Sequence, residues 1–137
     1  MAGTTGKTKD AGWQMGVRRT LPIAAEDAWE FLVGEGLPLW LGHTSLGDRA
    51  GEPYVTEEGV SGELRSRTDG RRVRLTWRPS DWSHDTTLQL TVLPAATGAT
   101  IAVHQERLAD ADERERMLTH WTAVLETLGA ALSDASD

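Results

Sequence analysis

The chain reads as an α+β domain: a curved antiparallel sheet of about six strands, two short helices after the first strand, and one long C-terminal helix packed across the sheet. Three observations predict it. From Ala111 to Leu132, the residues Leu118, Trp121, Leu125, Leu128 and Leu132 recur at steps of three and four, with Met117, Val124 and Ala131 widening the stripe, which is the spacing of one helix face. The middle of the chain, from Glu52 to Val103, is a run of short alternating segments separated by turn residues; no helical pattern lies between them, so the strands are antiparallel. Ahead of that run, Ala25, Trp29 and Leu32 mark a short helix.

Taken in order, residues 1–12 carry no apolar run and are expected to form a disordered tail, ahead of one domain over 13–132 and a frayed end at 133–137. Trp13, Met15 and Val17 alternate with Gln14, Gly16 and Arg18, a half-buried strand that Pro22 ends. The helix Ala25 to Val33 has Glu26 and Asp27 in its first turn, where the helix dipole favours negative charge, and Gly34 and Gly36 stop it. A second helical turn, Leu37 to Leu41, brings in Trp40. Glu52 to Thr56 is a weak strand that Pro53 places at an edge. Val60, Gly62 and Leu64 alternate with polar neighbours, and Asp69-Gly70 then signals a tight hairpin whose central residues both take positive φ. Val73, Leu75 and Trp77 alternate with Arg72, Arg74, Thr76 and Arg78. Leu88, Leu90 and Val92 form the next inner face, and Ile101 and Val103 the last, across a turn from Pro94 to Gly98. Asp110 and Glu113 make a capping-box pair for the closing helix, which at about 1.5 Å per residue runs roughly 33 Å.

Composition removes several classes of function. The 137 residues suit a single core that needs no disulfide or metal staple. Against 14 basic residues stand 21 acidic ones, so there is no broadly basic footprint for nucleic acid. Cysteine is absent, which excludes thiol nucleophiles, thiolate metal sites and disulfides, and fits a reducing cytoplasm. No segment is apolar and long enough to read as a membrane span or signal peptide. His43, His84, His104 and His120 lack metal-ligand spacing, and no nucleophile elbow, P-loop or dinucleotide glycine pattern occurs. No catalytic residue, metal or cofactor is therefore expected. Arg65, Arg67, Arg71, Arg72, Arg74 and Arg78 crowd together, but the alternation puts Arg72, Arg74 and Arg78 on a solvated outer face, where His104 and Glu106 of a later strand can pair with them.

The element order, together with Leu21-Pro22, Ala28-Trp29-Glu30-Phe31-Leu32, Leu39-Trp40-Leu41-Gly42, Arg74-Leu75-Thr76-Trp77-Arg78-Pro79, His104-Gln105-Glu106-Arg107-Leu108 and His120-Trp121, resembles the SRPBCC or START-like, Bet v-like helix-grip superfamily. Within it the chain is similar to the branch named for the activator of heat-shock protein 90 ATPase. The resemblance runs from about Trp13 to Leu132. It implies a sheet that grips the C-terminal helix around an apolar ligand cavity. The eukaryotic activator that names the branch has an additional N-terminal domain where this sequence has twelve polar residues, so a chaperone partner is disfavoured.

Side-chain parity proposes the lining of that cavity. Leu64, Leu75, Trp77, Leu90 and Val103 would face it from the sheet, and Met117, Trp121 and Val124 from the helix. Trp29 and Trp40 would close one mouth, and Gln105 and Arg107, on the parity of Val103, would supply polar groups. The opposing expectation is ordinary core packing, in which the same side chains fill the space. Trp82 and His84, in the loop after Pro79, are candidates for gating an entrance. The leading functional expectation is a non-enzymatic domain that binds a small hydrophobic or aromatic molecule, with a homodimer left open. The alternative is an enzyme of the polyketide cyclase or aromatase kind, with His120 or Glu106 as its acid or base.

Overall fold

Alternation along the strands decides which face of the sheet is buried, and two bulges decide where that alternation breaks. The computed structural model describes residues 7–8 and 12–135. Its strands are β1 (Lys7–Thr8), β2 (Gly12–Leu21), β3 (Pro53–Val55), β4 (Val60–Thr68), β5 (Arg72–Pro79), β6 (Thr86–Ala95) and β7 (Gly98–Leu108). The helices are α1 (Ala25–Val33), α2 (Leu37–Trp40) and α3 (Ala111–Ala135). All strand pairs are antiparallel, in the order β1-β2-β7-β6-β5-β4-β3, so the first long strand closes against the last and α3 lies across the inner face. This is the helix-grip arrangement. The sheet has seven strands, because Lys7 and Thr8 pair with Trp13 and Gly12. The remainder of the expected tail, and residues 136–137 of the expected frayed end, lie outside the described residues; within them α3 continues to Ala135.

The hairpin between β4 and β5 differs from the sequence expectation. Arg71 N donates to Thr68 O (3.0 Å) and only Gly70 of the turn has positive φ (84°). A glycine with positive φ at the third position of a four-residue turn is the type II signature, which suits a longer loop than the two-residue hairpin expected. Pro94 and Ala95 belong to β6, so the following turn is shorter than the expected Pro94 to Gly98. Gly98 is required there: a Cβ at that position would meet Leu21 O at 2.1 Å.

The start of α3 is capped as the sequence suggests. Glu113 N donates to Asp110 Oδ1 (2.8 Å), and Glu113 Oε1 accepts from Ala109 N (2.9 Å). Asp110 satisfies an orphan donor of the first turn, while Glu113 reaches one residue past the cap to Ala109, short of the bond to Asp110 N that closes a capping box. Further along, Met117, Trp121, Val124, Leu125, Leu128 and Leu132 are buried against the sheet, while Leu118 sits at the edge of the stripe. Trp40 Nε1 donates to Leu32 O (2.8 Å) and fixes α2 to the end of α1. On the outer face, Arg74 donates to Glu106 (3.1 Å) and Gln89 (3.1 Å), the pairing expected of a solvated arginine row.

Candidate functional site

The wall residues proposed from parity mostly pack on one another. Trp29, Leu64, Leu75, Leu90, Val103, Met117 and Trp121 are buried members of one continuous core cluster. Gln105 does point inward, yet its polar atoms are already engaged. Trp121 Nε1 donates to Gln105 Oε1 (2.8 Å), Gln105 Nε2 donates to Thr86 Oγ1 (2.9 Å), and Thr86 Oγ1 donates to the Trp77 carbonyl (2.7 Å). Trp121, Gln105 and Thr86 are fully buried, and no buried side-chain polar atom among the described residues lacks a partner. In a low-dielectric interior such a relay is stable only when every member is satisfied, as here. It ties α3 to β7, β6 and β5 in a single chain of bonds.

Arg107 stands elsewhere than parity predicted. Trp13 pairs with Leu108 but Met15 pairs with Gln105, so β7 carries one residue more than β2 in that interval. The extra residue is accommodated by Arg107 at φ 65°, and the bulge turns it outward while Leu108 takes the buried position. Arg107 is exposed on the outer face and does not line the interior.

Beneath α2 lies a cleft of about 210 Å³, bounded by Leu39, Trp40 and Leu41, by Glu58 and Val60, by Trp77 of β5, and by His120 and Val124 of α3. Of the proposed wall residues, Trp40, Trp77 and Val124 meet there. His120 packs its ring against Trp121 (centroids 4.6 Å apart) and Trp77 (6.2 Å). Although His120 is exposed on one side, contact with those rings partly desolvates it and holds its pKa below the ordinary 6.5, so the imidazole is uncharged at neutral pH. No polar side chain among the described residues occupies its nitrogens. At the rim, Glu58 accepts from His43 N (2.7 Å) and from the His43 ring. The side-chain hydrogen bond raises the pKa of His43 and lowers that of Glu58, so His43 is shifted in the direction opposite to His120. Sequence reasoning missed Glu58 and His43: they lie fifteen positions apart in loops, and no periodic pattern joins loop residues.

Trp82 and His84 close the neighbouring end. Trp82 meets Trp77 edge-on at 5.4 Å and stacks on His84 at 5.0 Å, while His84 Nε2 bonds the buried Glu113 (2.7 Å). The loop after β5 is thereby fastened to the first turn of α3.

The architecture and the half-open cleft define a class: a helix-grip domain with a packed interior and an aromatic-walled cleft beneath α2. Solved structures of known proteins share that fold. The chain is similar to DynU16, a protein of the dynemicin biosynthetic locus (TM-score 0.79, 17% identity, 88% of this chain and 47% of that one). It is also similar to CalU16 from Micromonospora echinospora (TM-score 0.76, 16% identity, 90% and 79%) and to MLL2253 from Mesorhizobium loti (0.72, 17%, 90% and 98%). The chain thus spans about half the length of DynU16 and nearly all of MLL2253. No protein-family model matches the sequence, and no curated protein does.

Proposed function

We propose that this chain is a small-molecule binding domain of the SRPBCC superfamily that takes a single-ring aromatic molecule in the cleft beneath α2. One observation carries the reading: two indoles, Trp40 and Trp77, and an uncharged histidine, His120, share the walls of one cleft. Aromatic walls with a few convergent polar groups are the usual make-up of a small-ligand site. The volume of about 210 Å³ lies below the usual ligand-pocket range, which favours one ring over a fused system. The Leu39-Trp40-Leu41-Gly42 and His120-Trp121 stretches support placement in the branch similar to the activator of heat-shock protein 90 ATPase. No described helix is long and apolar enough to cross a membrane, and a cytoplasmic setting is part of this proposal.

The test is an NMR titration of the labelled chain with 4-methylphenol, whose hydroxyl can donate to the neutral His120. Saturable shifts of the Trp40 indole N–H and the His120 ring are expected, and His120→Ala should weaken them severalfold. Shifts that never saturate, or that miss the cleft, would defeat the reading. A second reading, a cyclase-like enzyme, is favoured by Glu58 and His120 lining the same cleft. It requires turnover that Glu58→Gln abolishes while ligand binding persists.

A further inference from the structure

The outer face of the sheet holds a groove of about 440 Å³ that shares no residue with the cleft beneath α2. Arg65, Arg74 and Arg107 line it together with Asp85, Thr76 and Thr87. Two of these arginines are answered within the fold. Arg65 pairs with Glu63 (2.7 Å), and Arg74 with Glu106 (3.1 Å) and Gln89 (3.1 Å). Arg107 and Asp85 are left: neither makes an ion pair or side-chain hydrogen bond among the described residues, and they do not pair with each other.

The backbone draws attention to the same place. Arg107 is the only residue other than glycine with positive φ among those described (65°), at the bulge that turns it into this groove. Bulges re-aim side chains, and glycine is the residue that adopts this φ without strain. An arginine here keeps the strain and gains no ion pair in return. A simple anion would meet Asp85, and a simple cation would meet Arg107. A molecule carrying both charges is complementary to both.

We propose that this groove is a second binding site, for a small dipolar molecule of the amino-acid class, whose carboxylate Arg107 takes and whose ammonium Asp85 takes. Arg74, held by two acceptors, is a preorganised neighbour for the carboxylate. The Thr87 hydroxyl, without a hydrogen bond among the described residues, adds a donor.

The experiment is an NMR titration of the labelled full chain with glycine, β-alanine and γ-aminobutyrate, which step the charge separation. Acetate and methylammonium, each carrying one of the two charges, are run at matched ionic strength. Saturable shifts of the Thr87 and Arg107 amides are expected with at least one of the three, with binding at least tenfold weaker for either single-charge probe. Arg107→Gly suits the backbone at the bulge and so keeps the fold; it should lose binding at least tenfold while 4-methylphenol still titrates as in the parent chain. Asp85→Asn should lose the dipolar probe equally but bind acetate more tightly. No saturable shift with any of the three overturns the proposal, as does acetate binding as well as they do, or unchanged binding in Arg107→Gly.

Discussion

Trp121→Ala tests whether the space under α3 is filled. The ring is fully buried and its N–H reaches Gln105 Oε1 at 2.8 Å. Deleting a buried tryptophan costs about 3–5 kcal/mol in transfer and cavity terms. It also leaves the Gln105 carbonyl oxygen without its donor, worth about 1–3 kcal/mol more. The two terms overlap, so the expected loss is about 4–7 kcal/mol, a large share of the roughly 5–15 kcal/mol that holds a domain together. Urea unfolding followed by far-ultraviolet circular dichroism reads this without relying on tryptophan emission. The orphan term is isolated by Gln105→Met. Alone it removes the acceptor of Trp121 Nε1; combined with Trp121→Ala it removes the stranded group. The double variant should therefore be more stable than the sum of the single losses predicts, by about 1–3 kcal/mol. A loss below about 1.5 kcal/mol for Trp121→Ala, or single effects that simply add, would refute the packed relay and restore an open cavity beneath the helix.

Asp110→Ala should cost about 1 kcal/mol by removing the cap of α3, and Asp110→Asn should recover most of it, measured in the same unfolding assay. Histidine ring titration by proton NMR should place His43 above the ordinary 6.5 and His120 below it. The signs for stability follow from those directions. The His43 contribution is present below pH 6.5 and is lost as pH rises through its raised folded value; being exposed at the surface, the pair is screened by solvent. The folded state resists protonation of His120, so stability falls as pH drops from 6.5 toward its lowered value and then levels off. Glu58→Gln should return His43 toward 6.5 and leave His120 where it is; equal movement of both would contradict separate causes.

Local periodicity made much of the fold legible. The α1 helix, the stripe of α3 and the Asp110–Glu113 cap are interactions between residues within a turn or two of each other, and the structure keeps them. Parity along β5 and β6 was equally readable, because Val73, Leu75, Leu88 and Leu90 alternate without interruption. Arg107 shows the limit of that rule: counting by twos from Val103 fails once a bulge inserts a residue, and nothing in the local sequence announces a non-glycine bulge. Whether two walls stand apart is a different question from which way their residues point. Parity correctly turns Gln105 inward, yet only the fold shows that Trp121 and Thr86 are there to occupy it. Glu58 and His43 were invisible for the opposite reason, since loops bring them together with no pattern to read.

On the proposed reading, the filled interior moves ligand binding outward to the cleft beneath α2, with Trp77 as its pivot. The carbonyl of Trp77 is held by Thr86, and its ring touches Trp82, His120 and Trp121. A molecule in the cleft beneath α2 therefore lands on a ring that cannot swing aside without disturbing the relay on one side and the Trp82–His84–Glu113 contacts on the other. Such a wall is preorganised: little side-chain entropy remains to be lost when a ligand arrives, which raises affinity for whatever fits. The same rigidity excludes whatever does not fit, since close-packed side chains transmit strain instead of yielding to it. If the cleft is the site proposed, selectivity would come from its size and the free acceptor on His120, and it is at His120 that two ligands of equal shape would be told apart.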